Sequence, residues 1–239
     1  MTRKILGVLT PSSNTILEPL TSEILRETPN ISAHFGRFRV TQITLDEKGL
    51  GQFSLEAPLA AASLLADAKP GVIAWSGTSA SWLGFDQDHR LCAEIKLRTG
   101  IAACTSVLAL NELLALNGHK ILGLVSPYTT DVQARIIQNY ASIGVNCISE
   151  AHCSIDDNYS FSEIDESTIE KMIRHVAQSG PEAITVMCTN MKGARLANRL
   201  EVELGIPIYD SVSTVVWKSI RLLEEDPSRI QGWGNLYAC

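Results

Sequence analysis

The chain spells one pattern twice. The segment 70-PGVIAWSGTSA-80 returns as 181-PEAITVMCTNM-191, an offset of 111 residues that sets Gly77 over Cys188 and Thr78 over Thr189. The opening 4-KILGVLTPSSNT-15 matches 120-KILGLVSPYTTD-131 at an offset of 116, and 99-TGIAACTSVLAL-110 matches 204-LGIPIYDSVSTV-215 at 105. Three matches in the same order, with slowly drifting offsets, describe a duplicated half-domain. A protein built this way has two lobes and a cleft between them, with equivalent residues facing each other across it. One wall carries a thiol and the other a glycine.

Short apolar runs alternate with longer amphipathic stretches, the mark of βα units and a parallel sheet. Strands are expected near 5–9, 33–40, 72–76 and 102–103, then 121–125, 145–150, 183–187 and 206–209. Helices are expected at 15–28, 55–68, 86–98, 106–116, 130–143, 166–178, 193–204 and 213–223. Capping boxes, Thr15 with Glu18 and Thr130 with Gln133, mark two helix starts. Gly100, Gly118, Gly144 and Gly205 each close a helical pattern. The fold expected is α/β: two pseudo-symmetric Rossmann-like lobes with parallel sheets, residues 1–117 and 118–239, and an active site in the cleft. The last helix crosses back onto the first lobe if the lobes are tightly joined.

With 239 residues, 45% of them hydrophobic and 19% charged, the chain can bury a large core. A net charge of −6 and no Lys/Arg cluster argue against a nucleic-acid surface. No apolar run approaches the roughly 18 residues of a membrane span. The N-terminus ends its apolar run at Pro11 and reads as a first strand, not a signal peptide. Six cysteines without dense spacing suit free thiols in a reducing cytoplasm. A homo-oligomer, most commonly a dimer, is compatible with all of this.

In an open parallel sheet the ligand sits beyond the carboxyl ends of the strands. Four loops, 10-TPSSNT-15, 76-SGTSAS-81, 126-SPYTTD-131 and 188-CTNMKG-193, occupy that end. Three are rich in hydroxyls and backbone N–H donors and nearly uncharged, which suits a small carboxylate held by neutral donors. The plainer role for Ser, Thr and Asn there is helix capping. Cys188 ends an apolar strand ahead of a helix, where a thiol's pKa can fall below its free value of about 8.5. Cys92, Cys104, Cys147, Cys153 and Cys239 read as inert buried thiols. Cys147, His152 and Cys153 match no zinc spacing, so no metal is expected. Gly49–Gly51 and Gly232–Gly234 lack the rest of a nucleotide loop. Trp75, Trp82 and Phe85 are either core residues or the wall of an apolar pocket beside Gly77.

Taken together, the duplicated halves, the cysteine after the strand, and the loops GVLTPSSNT, SPYTTDV, SGTSAS and MCTN resemble the aspartate/glutamate racemase superfamily. The resemblance spans essentially the whole chain. It is strongest to the branch containing arylmalonate decarboxylase and maleate cis-trans isomerase. Racemases and maleate isomerase place a cysteine on each wall of the cleft. Arylmalonate decarboxylase has one, corresponding to Cys188, and a Gly-Thr-Ser loop corresponding to Gly77, Thr78 and Ser79. The resemblance implies that Thr78, Ser79, Tyr128 and backbone amides near Cys188, Thr189 among them, hold one carboxylate. Loss of the other as CO2 leaves an enediolate that the cysteine protonates, with no cofactor. Asn14 and Asn158 match the isomerase pattern instead and imply a small polar dicarboxylate. Asn158 reads equally well as a turn residue.

Two-base racemisation needs a donor and an acceptor on opposite faces of the carbon, and Gly77 supplies neither. Decarboxylation needs enediolate stabilisation and one proton donor. The expectation is therefore a cofactor-independent, single-cysteine decarboxylase acting on a small malonate-type or dicarboxylic acid. The alternatives are a maleate-type cis-trans isomerase or racemase-like isomerase, and a non-catalytic carboxylate-binding protein.

Overall fold

The computed structural model describes residues 3–238. The first lobe contributes β1 (Lys4–Pro11), β2 (Ile31–Phe38), β3 (Val72–Trp75) and β4 (Ala102–Thr105). The second contributes β5 (Ile121–Ser126), β6 (Asn146–His152), β7 (Ala183–Val186) and β8 (Ile208–Asp210). Each set forms a four-stranded sheet, ordered β2-β1-β3-β4 and β6-β5-β7-β8. All pairings within the sheets are parallel. The duplication is preserved in the register. Leu6 pairs with Val72 in the first sheet, and their repeat partners Leu122 and Ala183 pair in the second.

The central strands β3 (VIAW) and β7 (AITV) are buried at every position, as expected of a parallel sheet covered on both faces. The covering helices are α1 (Leu17–Ile24), α3 (Glu56–Ala66), α5 (Asp86–Thr99), α6 (Ser106–Asn117), α7 (Thr130–Ser142), α8 (Glu166–Ala177), α9 (Ala194–Leu204) and α10 (Ser211–Leu222). In α8 the buried Ile169, Ile173 and Val176 recur at helical spacing along one face. Gly100, Gly118 and Gly205 end α5, α6 and α9 with left-handed backbone, the conformation that favours glycine. Two short helices lie outside the sequence expectation: α2 (Glu47–Gly51) and α4 (Ala80–Leu83). At four to five residues each, they are too short to show a period.

Neither expected capping box forms. Asn14, not Thr15, caps α1: its Oδ1 accepts the N–H groups of Ile16 and Leu17, both at 2.9 Å. At α7, Gln133 is drawn away from the helix end by Ser126 (2.6 Å) and Glu150 (2.9 Å), and the Thr130 hydroxyl meets His152. Arg37 also holds Glu18 (2.9 Å), so in both places a tertiary partner takes a member of the expected box.

Helix α10 follows the second sheet yet packs on α6, β3 and β4 of the first lobe. Thr214 donates to the Ser106 carbonyl (3.0 Å), Lys218 pairs with Glu112 (2.5 Å), and the Cys104 and Ser219 side chains meet at 3.4 Å. Farther along, Glu225 takes Lys4 (3.1 Å) and Asn30 (3.0 Å). The two sheets are thereby clamped through one helix pair, which sets how their carboxyl ends face each other. Among the described residues, no helix is long and apolar enough to cross a membrane.

Trp217 is fully buried in α10 at this junction. Trp217→Ala is expected to cost about 3–5 kcal/mol of unfolding free energy. Urea titration should show both lobes melting in one earlier transition. A loss below about 1 kcal/mol would mean that the helix pair does not clamp the lobes.

Candidate active site

Strands β1, β3, β5 and β7 run side by side in their sheets, so the four loops that follow them meet at one end of the cleft. A cavity there is lined by Gly77, Thr78, Tyr128, Asn158, Cys188 and Thr189, with Pro11, Trp75 and Trp82 behind them. Only about 20 Å³ of it is open to the centre of a water molecule, enough for a water or two. It is roofed by Val40, Ile43 and Phe53. These belong to a strap that crosses from the first lobe to the second. Ile43 N–H bonds the Asp156 carbonyl (2.8 Å), Asn158 N–H bonds that of Thr41 (2.9 Å), and Gln42 bridges Asp157. Gln52 pins the strap's start, accepting Thr41 N–H at 2.7 Å.

Cys188 leaves β7 in a tight turn, its N–H on the Val186 carbonyl (3.0 Å). Its sulfur accepts the Asn190 N–H (3.3 Å) and a hydrogen bond from the Tyr128 hydroxyl. Tyr128 and Thr78 share a further hydrogen bond of 2.7 Å. A chain of groups, Thr78–Tyr128–Cys188, therefore spans the cleft. Tyr128 is fixed edge-on between Trp82 (5.0 Å) and Phe161 (5.5 Å).

The thiol does not follow the sequence expectation of a lowered pKa. Burial pushes it up to about 12, outweighing the Asn190 and Tyr128 hydrogen bonds. Helix α9 starts only at Ala194, so no helix N-terminus touches the sulfur. At neutral pH Cys188 is a protonated thiol. Cys104 and Cys147 are pushed up to about 11 and about 12 by burial, and Cys92 and Cys153 are raised as well. Cys239 lies outside the described residues. Among the described residues, no cluster of three or more His, Cys, Asp or Glu side chains is placed to hold a metal ion.

Gly77 stands opposite in a space that is already taken. A Cβ built on it would lie 2.1 Å from Cζ2 of Trp75 and 2.3 Å from Cε2. Real Cβ atoms do not approach so closely. The indole occupies the place where a second thiol would stand. Of the aromatic residues flagged in the sequence, Trp75 and Trp82 line the cavity, while Phe85 packs on Tyr140 (5.3 Å).

The remaining sequence candidates divide. Asn158 reaches the wall, its Nδ2 on Ser13 (2.8 Å). Asn14 stands behind it, capping α1 and donating to Thr189 (3.2 Å), which in turn donates to the Ser76 carbonyl (3.3 Å). Ser79 lines a separate, adjoining cavity. Asn190 was not singled out, yet it is fully buried and holds three segments together. It accepts Thr15 N–H (3.0 Å), donates to the Asn158 carbonyl (2.5 Å), and sends its own N–H to Cys188. The available signal was its amide, two residues after the cysteine in a loop otherwise hard to bury.

A family model for arylmalonate decarboxylase matches residues 16–237. Maleate isomerase from Nocardia farcinica is 24% identical over 239 residues, covering 97% of this chain and 94% of its own. The fold is shared with a cysteine-to-serine variant of that isomerase, solved with a covalently bound succinylcysteine intermediate. Its TM-score is 0.90 at 21% identity, over 98% of both chains. A liganded arylmalonate decarboxylase carrying glycine-to-cysteine and cysteine-to-serine changes superposes with a TM-score of 0.86 at 18% identity, again over 98% of both chains. The chain belongs to the arylmalonate decarboxylase family, in the branch of the aspartate/glutamate racemase superfamily that joins that lyase to the maleate isomerases.

Proposed function

We propose that the protein is a cofactor-independent decarboxylase of a small malonate-type acid, with Cys188 as its one proton donor. The observation that carries this reading is the Trp75 indole packed over Gly77, opposite a thiol that burial keeps protonated. Chemistry that needs a proton carrier on both faces of a carbon has none on the Gly77 side.

In the proposed reaction, the carboxylate that stays is held by the Thr78 and Tyr128 hydroxyls and by backbone N–H groups. Those of Gly77, Thr78 and Thr189 bond no acceptor among the described residues. The carboxylate that leaves faces the apolar roof of Val40, Ile43 and Phe53, where a charge is poorly solvated. The bond to it breaks, CO2 departs, and the electron pair spreads into the retained carboxylate as an enediolate. One well-placed oxyanion donor is worth roughly 2.7–4 kcal/mol, so several carry much of the barrier. The Cys188 S–H then passes its proton to carbon. The resulting thiolate keeps the hydrogen bonds from Asn190 and Tyr128 until solvent reprotonates it. A cavity this small admits substrate only when the strap over it moves.

A second reading has one specific support: the curated relatives are maleate isomerases, and Asn158, which matches their pattern, reaches the cavity wall. It requires Cys188 to act as a thiolate. Proton NMR of maleate with the protein separates the two, since fumarate formation selects isomerisation.

Cys188→Ala is expected to cut CO2 release from a malonate panel by at least about a thousandfold. Activity that survives would remove Cys188 from the reaction. A donor thiol with its pKa near 12 stays protonated below that value. The decarboxylation rate should therefore show no thiol ionisation up to about pH 10. A rate that climbs between about pH 8 and 10 would indicate thiolate chemistry instead. Gly77→Cys should destabilise the fold by roughly 1–3 kcal/mol, because it overpacks against the indole. A variant that melts with the wild type would show that the indole yields easily.

A further inference from the structure

A second cavity adjoins the first, and Trp75 and Phe53 line both. Its sides are apolar, formed by Phe38, Leu55, Pro58, Leu83 and Leu91. Its polar lining consists of Ser79, Gln87 and Asp88. The Asp88 carboxyl is bonded to the Thr105 side chain, but its Oδ2 is buried without a partner among the described residues. Among the described residues it forms no ion pair. The side-chain polar atoms of Ser79 and Gln87 bond nothing else among the described residues. An apolar-sided cavity whose polar lining is a buried carboxylate, a hydroxyl and an amide offers acceptors and no fixed positive charge.

We infer that this cavity is the substituent subsite of the enzyme, selecting a substrate whose reacting carbon bears an apolar stem ending in a cationic N–H donor of the ammonium or amidinium type. The inference rests on the malonate-type reading above. A buried polar group left unpaired is costly, and a buried carboxylate more so, which makes a matching cation the strongest available complement. Asp88 itself answers to burial, which raises its carboxyl to about 7. A bound cation would hold it ionised. A plain alkyl or aryl substituent would fill the sides of the cavity and leave Oδ2 without a partner. The position is specific to substituent recognition, because none of Ser79, Gln87 and Asp88 lines the Cys188 cavity.

The test uses the full chain carrying Cys188→Ala, so that nothing turns over, and calorimetric binding of two probes, 2-butylmalonate and 2-(4-aminobutyl)malonate. The amino probe is expected to bind at least about tenfold more tightly. In an added Asp88→Asn the ratio should fall to about twofold or less. Leu91→Phe, which fills the cavity from another wall, should abolish the preference by a different route, with melting curves confirming that each variant is folded. Equal affinity for the two probes, or a preference that survives Asp88→Asn, overturns the subsite. If neither malonate binds, the decarboxylase reading fails, and n-butylammonium chloride alone then decides the subsite. Stabilisation of the parent chain but not of Asp88→Asn supports it, and no stabilisation of either overturns it.

Discussion

The site depends on one buried amide. Asn190 has no exposure, and its side chain meets the backbone of Thr15 from the first lobe and of Asn158 from the second. A buried amide left unpaired costs about 1–3 kcal/mol per group, so both contacts must form together. Asn190 lies two residues from Cys188, and its own N–H is bonded to the sulfur. Holding the lobes to this amide therefore seals the thiol away from water. Desolvation raises the thiol's pKa to about 12, which in the proposed reaction suits a proton donor rather than a nucleophile.

The two lobes share a backbone plan and differ by an exchange of volume. In the repeat, Trp75 corresponds to Val186 and Gly77 to Cys188. One wall pairs a large residue with none, the other a small residue with a thiol. Either wall fills its space, which explains how a symmetric scaffold tolerates an asymmetric site. The exchange also explains why a lone glycine-to-cysteine change would not restore symmetry here. The strand residue two positions before it would have to shrink as well.

The fold was largely legible because its signals are local or repeated. Strand positions follow from apolar runs, helix ends from Gly100, Gly118 and Gly205, and the paired sheets from the duplication. What the sequence concealed was settled by competition between distant groups. Arg37 took Glu18 from the start of α1, and Ser126 and Glu150 took Gln133 from α7. The loops named in the sequence do meet at the cleft, yet within them adjacent residues part company, with Thr78 on one cavity and Ser79 on the next. No periodicity encodes such a split. The thiol's pKa was misjudged for a related reason: placement after a strand says nothing of how thoroughly the strap 39–54 and the aromatic side chains exclude water.

Trp75 joins these threads. Its indole blocks a thiol at Gly77, walls the Cys188 cavity, and forms one side of the cavity that contains Asp88. Facial selectivity and substituent selectivity in the proposed reaction are therefore not independent. Any substitution that shrinks Trp75 enough to admit a second proton carrier also takes away a wall common to both cavities, and the substituent loses the side that orients it. Conversely, a chain that keeps Trp75 keeps a one-sided site whatever occupies the Asp88 cavity. The route to two-base chemistry on this scaffold runs through residue 75 before it reaches residue 77.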